Sequence, residues 1–105
     1  MVASEIVLTA RDREILVSLI GQYLPHTPVW AFGSRVKGTS YPWSDLDLVI
    51  FTRVEHRPQV SLLKEALEES NLPFRVDLLE WDGLPEHFKE NIKTEHVIVH
   101  NGDLA

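Results

Sequence analysis

Three aspartates and one glycine–serine pair are the residues of this chain best suited to chemistry. Gly33 and Ser34 close a short hydrophobic segment, ten residues follow, and Asp45 and Asp47 then flank a leucine at the start of a second hydrophobic segment. Asp77 lies thirty residues further on, inside a third apolar segment. Glycine beside a hydroxyl residue suits backbone contact with phosphate, and carboxylates suit divalent cations. The pattern predicts a metal-dependent site that handles a nucleoside triphosphate.

The spacing of the aspartates predicts how their carboxylates cluster. Side chains alternate across a strand, so Asp45 and Asp47 are expected on one face, about 6.6 Å apart. If the strand that carries Asp77 lies beside theirs, the third carboxylate comes from a neighbour about 4.8 Å away. Such a cluster could hold two cations about 3.5–4 Å apart, as in-line phosphoryl chemistry requires. Oxygen ligands favour Mg²⁺, or Mn²⁺, over Zn²⁺.

A purely structural pairing of these aspartates is the alternative interpretation. A single Asp-x-Asp motif would favour it, because short motifs often occur by chance. Aspartate is disfavoured inside strands, however, and costly to bury without a partner. Two apolar segments each carry one here, so we favour the metal site.

Apolar periodicity and turn residues predict strands that alternate with helices, which is typical of an α/β layer. Thr9 is expected to cap the first helix, and prolines begin or end the others. The predicted helices span about residues 10–24, from Pro58 to about residue 71 and from Pro85 onward; the predicted strands span about 29–32, 46–52 and 74–80, with a tail at 97–99 that packs on the sheet. A chain of 105 residues suits one domain, residues 1–105.

Composition narrows the classes of function. A net charge of −6 argues against direct binding to nucleic acid, which needs a cationic surface. The chain has no cysteine, which excludes disulfides and fits a reducing compartment. The longest apolar run, residues 48–51, is too short to cross a membrane. We therefore expect a cytoplasmic protein without a membrane span.

Two histidines and two tryptophans are given structural rather than chemical roles. His96 and His100 are four residues apart, but the apolar residues between them favour a strand, so a surface pair is expected rather than a metal site. Trp30 is expected in the core. Trp43, close to the aspartates, is expected as an exposed contact.

The glycine–serine pair, the Asp-Leu-Asp motif and Asp77, at these spacings, resemble the DNA polymerase β-like nucleotidyltransferase superfamily. Residues 31–38 and the short chain are similar to its minimal branch, the MNT proteins, which are encoded beside HEPN-domain proteins in prokaryotic toxin–antitoxin pairs. The resemblance runs from about Val29 through Phe88. It implies a polymerase β-like α+β fold, with a small mixed β-sheet flanked by helices.

The resemblance also implies a role for each matching residue. Gly33 and Ser34 would hold the triphosphate through backbone and hydroxyl groups. Asp45 and Asp47 would bind two metal ions, expected to be Mg²⁺. Asp77 would bind the catalytic ion and help to activate the attacking hydroxyl.

A cation near the glycine–serine pair is expected to contact the phosphates. Many relatives have arginine where this chain has Lys37, which keeps the charge but loses bidentate geometry. Arg35 and Lys37 therefore remain alternative nucleotide-binding residues.

The reaction implied is transfer of a nucleoside monophosphate, AMP from ATP, to an acceptor hydroxyl, expected to be a tyrosine of a helical HEPN-type toxin. The chain would then act as the antitoxin. An antitoxin that masks its partner without catalysis, and a nucleotidyltransferase that modifies a small molecule, remain alternatives. Larger nucleotidyltransferases grip base and acceptor with a further domain, so a partner chain in a homo- or hetero-oligomer is expected to complete the site.

Overall fold

The computed structural model describes residues 6–102, in which four α-helices alternate with four β-strands. The helices are α1 (Ala10–Tyr23), α2 (Ser34–Lys37), α3 (Arg57–Glu69) and α4 (Glu86–Thr94). The strands are β1 (Val29–Phe32), β2 (Leu46–Ile50), β3 (Val76–Glu80) and β4 (Val97–His100). Within residues 6–102, no helix is long and apolar enough to cross a membrane.

The helix boundaries follow local sequence signals. The Thr9 hydroxyl accepts a hydrogen bond of 3.0 Å from the backbone N–H of Asp12, so Thr9 caps α1 as predicted. Pro25 cannot continue that helix, and Pro58 stands in the first turn of α3, where a missing N–H costs nothing.

The strands form one mixed sheet in the order β3-β2-β1-β4. β1 runs antiparallel to both β2 and β4, whereas β2 and β3 run parallel. A parallel pair needs a crossover connection, and α3 supplies it. The predicted α+β fold with a small mixed sheet is confirmed, and so is the return of the C-terminal tail to the sheet.

Two strands are shorter than predicted because their partners are short. β3 begins at Val76 rather than near residue 74, since its first register partner is Leu46, the first residue of β2. β2 ends at Ile50, opposite Val29, the first residue of β1.

The sheet separates two hydrophobic clusters. One face packs against α1 and α3 and contains most of the fully buried aliphatic side chains of β1 and β2. The other face carries Phe32 and Val49, which pack against Ile92 of α4 and a group of aromatic side chains. Asp47 lies between Leu46 and Leu48, which belong to the first cluster, so its side chain projects toward the second face.

The prediction of a surface histidine pair is wrong for one of its members. His100 is buried, and its Nδ1 lies 3.0 Å from the carbonyl oxygen of Thr27. His96 is half-buried and stacks on Trp30 with ring centroids 4.0 Å apart. Both rings are part of the packing of β4, which the sequence pattern of that segment did not indicate.

Candidate active site

Asp47 and Asp77 are register partners on the parallel strands β2 and β3. Register partners on adjacent strands lie about 4.8 Å apart and project to the same face. Both side chains are half-buried. The strand of Asp77 therefore does lie beside that of Asp47, as the predicted carboxylate cluster requires.

The electrostatics of Asp47 reflect this crowding. Burial raises the pKa of Asp47 above its ordinary value, and the negative charges of Asp77 and Asp45 raise it further. Asp45 itself is exposed, directly before β2. Carboxylates that repel one another at the end of a sheet are stabilised by a cation placed between them.

Gly33 faces this carboxylate pair. It caps α2 with φ +83° and ψ −156°, a conformation that side chains other than glycine rarely adopt. A Cβ atom at position 33 would overlap the Asp47 carboxylate. The residue must therefore be glycine for both reasons, and its backbone is held directly against the site.

Ser34 and Lys37 begin and end the short helix α2, which follows Gly33. Ser34 is half-exposed and adjoins the glycine, whereas Lys37 is exposed. Lys37 and Gly33 border the same cavity, so this cation lies near the predicted phosphate turn.

Arg35 is placed differently from its predicted role as a phosphate contact. Its side chain is buried, and its guanidinium donates hydrogen bonds of 2.8–3.0 Å to the carbonyl oxygens of Val7, Pro42 and Ser44. It also lies 4.0 Å above the ring centroid of Phe74. We interpret Arg35 as the anchor of the loop that leads to Asp45, and Lys37 as the cation available to phosphate.

Burial lowers the pKa of Arg35 below its ordinary value, while the negative charges of Asp12 and Asp45 oppose this shift. Asp45 therefore lies within electrostatic reach of the anchor. The same arginine thus fixes the loop and partly balances the charge at its end.

Asp77 already has a cationic partner. Arg75 Nε lies 3.0 Å from Asp77 Oδ1, and the arginine side chain is 75% exposed. Within residues 6–102, no three acidic or histidine side chains converge into a complete metal-binding group. The hard oxygen donors and mutual repulsion of Asp47 and Asp77 nevertheless fit a divalent cation, which would compete with Arg75 for Asp77.

Two cavities adjoin the site. An open groove of about 780 Å³ runs along β3 and is bordered by both Asp47 and Asp77. A smaller cavity of about 270 Å³ lies beside Gly33 and is bordered by α2 and α4. The carboxylate pair and the glycine turn are thus accessible from two directions.

Two comparisons with known proteins match most of this chain. The family model described as "Polymerase beta, Nucleotidyltransferase" matches residues 19–104. A Haemophilus influenzae protein named "Probable protein adenylyltransferase MntA" is 42% identical over 96 residues, which cover 88% of this chain and 82% of that protein.

A solved structure is similar in fold. The structure described as "Crystal structure of the toxin-antitoxin with AMP-PNP" superposes with a TM-score of 0.60 at 19% identity. The match covers 85% of this chain and 73% of the solved one.

Proposed function

Because this chain belongs to the polymerase β nucleotidyltransferase family, we propose that it transfers AMP from ATP to an acceptor hydroxyl and releases pyrophosphate. The observation that carries the proposal is the register pair of Asp47 and Asp77, with the backbone of Gly33 against it. This arrangement joins a cation site to a phosphate turn, which are the two parts that phosphoryl transfer needs.

All three aspartates have a role as metal ligands in this proposal, and Asp77 has a second role toward the acceptor. Asp45, Asp47 and Asp77 would hold Mg²⁺, which supplies charge neutralisation for the phosphates and the leaving pyrophosphate. Asp77, on the outermost described strand of the sheet, accepts a hydrogen bond from the acceptor hydroxyl and orients it for attack. The open groove along β3 gives the acceptor a path to this carboxylate.

The phosphates of ATP lie against the glycine turn. Gly33 lets the backbone approach them, because it lacks a side chain there. The Ser34 hydroxyl donates a hydrogen bond, and the ammonium group of Lys37 supplies positive charge. Arg35 acts only through the loop that it anchors.

The acceptor is a tyrosine hydroxyl on a helical HEPN-type toxin, and the chain is its antitoxin. Two similarities support a protein acceptor in a toxin–antitoxin pair: the Haemophilus influenzae relative is named as a probable protein adenylyltransferase, and the structural neighbour is described as a toxin–antitoxin. The tyrosine and the HEPN-type partner come from the resemblance to the MNT proteins. The proposal places the reaction in the cytoplasm, in keeping with a chain that has no cysteine.

Inhibition by masking is the second candidate function. Tyr41 and Trp43 are 62% and 71% exposed and stack with ring centroids 5.1 Å apart, which suits contact with another protein. In this case the antitoxin would act by occupancy, and the carboxylates would be dispensable.

Co-expression with the proposed HEPN-type toxin separates the two candidates. The double variant Asp45→Asn/Asp47→Asn should fail to protect the cells if protection is catalytic. Asp82→Asn, an exposed aspartate in the turn after β3, is the matched control and should protect fully. Full protection by the double variant would overturn catalysis and favour masking.

A further inference from the structure

The cavity beside Gly33 is lined by aromatic and polar residues that have no role in the reaction proposed above. Its volume is about 270 Å³, slightly below the roughly 300–1,000 Å³ in which proteins hold drug-sized ligands. It is therefore of a size for one part of a nucleotide rather than for the whole molecule. Because Gly33 borders the cavity and also touches Asp47, the cavity adjoins the carboxylate pair.

One wall of this cavity is aromatic. Phe32, at the end of β1, and Phe88, on α4, meet edge to face with ring centroids 5.8 Å apart. Planar heterocycles pack favourably against such rings. The wall therefore suits a nucleobase better than a string of phosphates.

The other wall is polar and comes from the end of α4. It is lined by Asn91, which is exposed, and by Glu95, which is half-buried. Among residues 6–102, Glu95 makes no ion pair. An unpaired carboxylate repels phosphate, but it accepts hydrogen bonds from an amino group.

We propose that this cavity is the nucleobase subsite, in which Glu95 accepts a hydrogen bond from the exocyclic amine of a purine and Asn91 pairs with a ring nitrogen. In protein–DNA complexes, asparagine amides recognise adenine through its amino group and a ring nitrogen. The triphosphate then leaves the cavity past Lys37 and Gly33. The inference rests on the proposed function and adds specificity for the base.

Binding measurements with three ligands test the subsite at constant Mg²⁺. Tripolyphosphate contains only the phosphates, ATP adds the sugar and the amino-bearing base, and purine riboside triphosphate is ATP without the 6-amino group. Calorimetry on the full chain should give ATP an affinity about tenfold higher than that of purine riboside triphosphate. Glu95→Ala should reduce this preference toward unity. Asn91→Ala should weaken the binding of ATP and of purine riboside triphosphate alike, because both carry the ring nitrogen. Both variants should leave tripolyphosphate affinity unchanged.

Glu90→Gln is the matched control, because Glu90 lies on the same helix and pairs with Lys93 at 3.6 Å, outside the cavity. It should keep the preference for ATP. A preference that survives Glu95→Ala, an ATP affinity unchanged by Asn91→Ala, or ATP that binds no tighter than tripolyphosphate would overturn the subsite while the phosphate site stands. If tripolyphosphate also fails to bind to folded protein, both the proposed function and the subsite are wrong.

Discussion

Gly33 approaches Asp47 so closely that a larger residue at position 33 would displace the carboxylate. The backbone at Gly33 and the carboxylate of Asp47 therefore lie side by side, although they are fourteen residues apart in the sequence. Asp47 is in turn crowded by Asp77, its register partner. The Asp47 side chain therefore has steric contact with Gly33 on one side and electrostatic repulsion from Asp77 on the other.

Gly33→Ala should destabilise the protein, both through its positive φ and through overlap with Asp47. We expect a loss of about 1–3 kcal/mol in the free energy of unfolding, measured by urea denaturation. Gly38→Ala is the control, because Gly38 has φ +80° but open space around it, and should cost less. Equal losses for the two variants would contradict the contact with Asp47.

Asp47→Asn should raise Tm in the absence of metal, because it removes repulsion from Asp77 and Asp45. The expected gain at neutral pH is roughly 0.5 kcal/mol, or about 2–4 °C, because the side chain is partly exposed. Folding raises the pKa of Asp47, so the penalty exists where the carboxylate is ionised and disappears below about pH 4. Thermal unfolding at pH 7 and pH 3.5 measures both effects; a lower Tm at pH 7 would contradict this electrostatic account.

At the scale of elements, the loop between α2 and β2 is held by a buried side chain. Arg35 joins the carbonyl groups of Val7, Pro42 and Ser44, which come from two separate segments of the chain. Its planar fork is suited to several acceptors at once, which lysine cannot reproduce. The position of Asp45 thus depends on an arginine that itself contacts no phosphate in our account.

A pair of substitutions separates the loop anchor from the phosphate contact. Arg35→Lys should lower the free energy of unfolding by about 1–3 kcal/mol without any nucleotide, because it leaves partly buried carbonyl groups unpaired. Lys37→Ala should change stability by less than about 0.5 kcal/mol and weaken tripolyphosphate binding. The reverse pattern, a stable Arg35→Lys variant that binds tripolyphosphate weakly, would restore Arg35 as the phosphate contact.

The sequence was sufficient for those parts of the fold that depend on periodicity and turns. The position of β1 follows from an apolar segment bounded by proline and glycine, and the α1 cap follows from the threonine before the helical periodicity. The pairing of the Asp47 and Asp77 strands was only a condition of the predicted cluster, and the structure supplies it. The role of Arg35 could not be predicted, because its burial depends on carbonyl groups that only the folded chain assembles. The position of Glu95 beside the cavity could not be predicted either, because it lies just after the end of α4, where helical periodicity no longer applies.

Across the whole molecule, the net charge and the exposed aromatic rings are the features that would meet the proposed protein partner. The chain has a net charge of −6, which favours a basic surface on that partner. Tyr41 and Trp43 stack outside the core, in the loop that ends at Asp45. A partner that covers these rings would lie next to the carboxylates.

Trp43→Ala should weaken binding of the helical toxin by about tenfold, as expected when a central aromatic contact is removed. It should leave the affinity for ATP unchanged, because Trp43 borders neither cavity of the site. Val54→Ala, at a residue that is 72% exposed, is the control and should bind the toxin normally. Normal toxin binding by Trp43→Ala, measured by biolayer interferometry, would exclude this surface.

Intact mass spectrometry of the partner protein shows whether Asp47 and Asp77 support transfer of AMP to it. The proposed HEPN-type toxin is incubated with the wild-type chain, ATP and Mg²⁺, and its peptides are then mapped. Each transferred AMP should add about 329 Da and one negative charge at a tyrosine. Asp77→Asn and removal of Mg²⁺ with EDTA should each abolish the added mass, whereas Asp82→Asn should retain it. An unmodified toxin with the wild-type chain, or full modification by Asp77→Asn, would contradict the account.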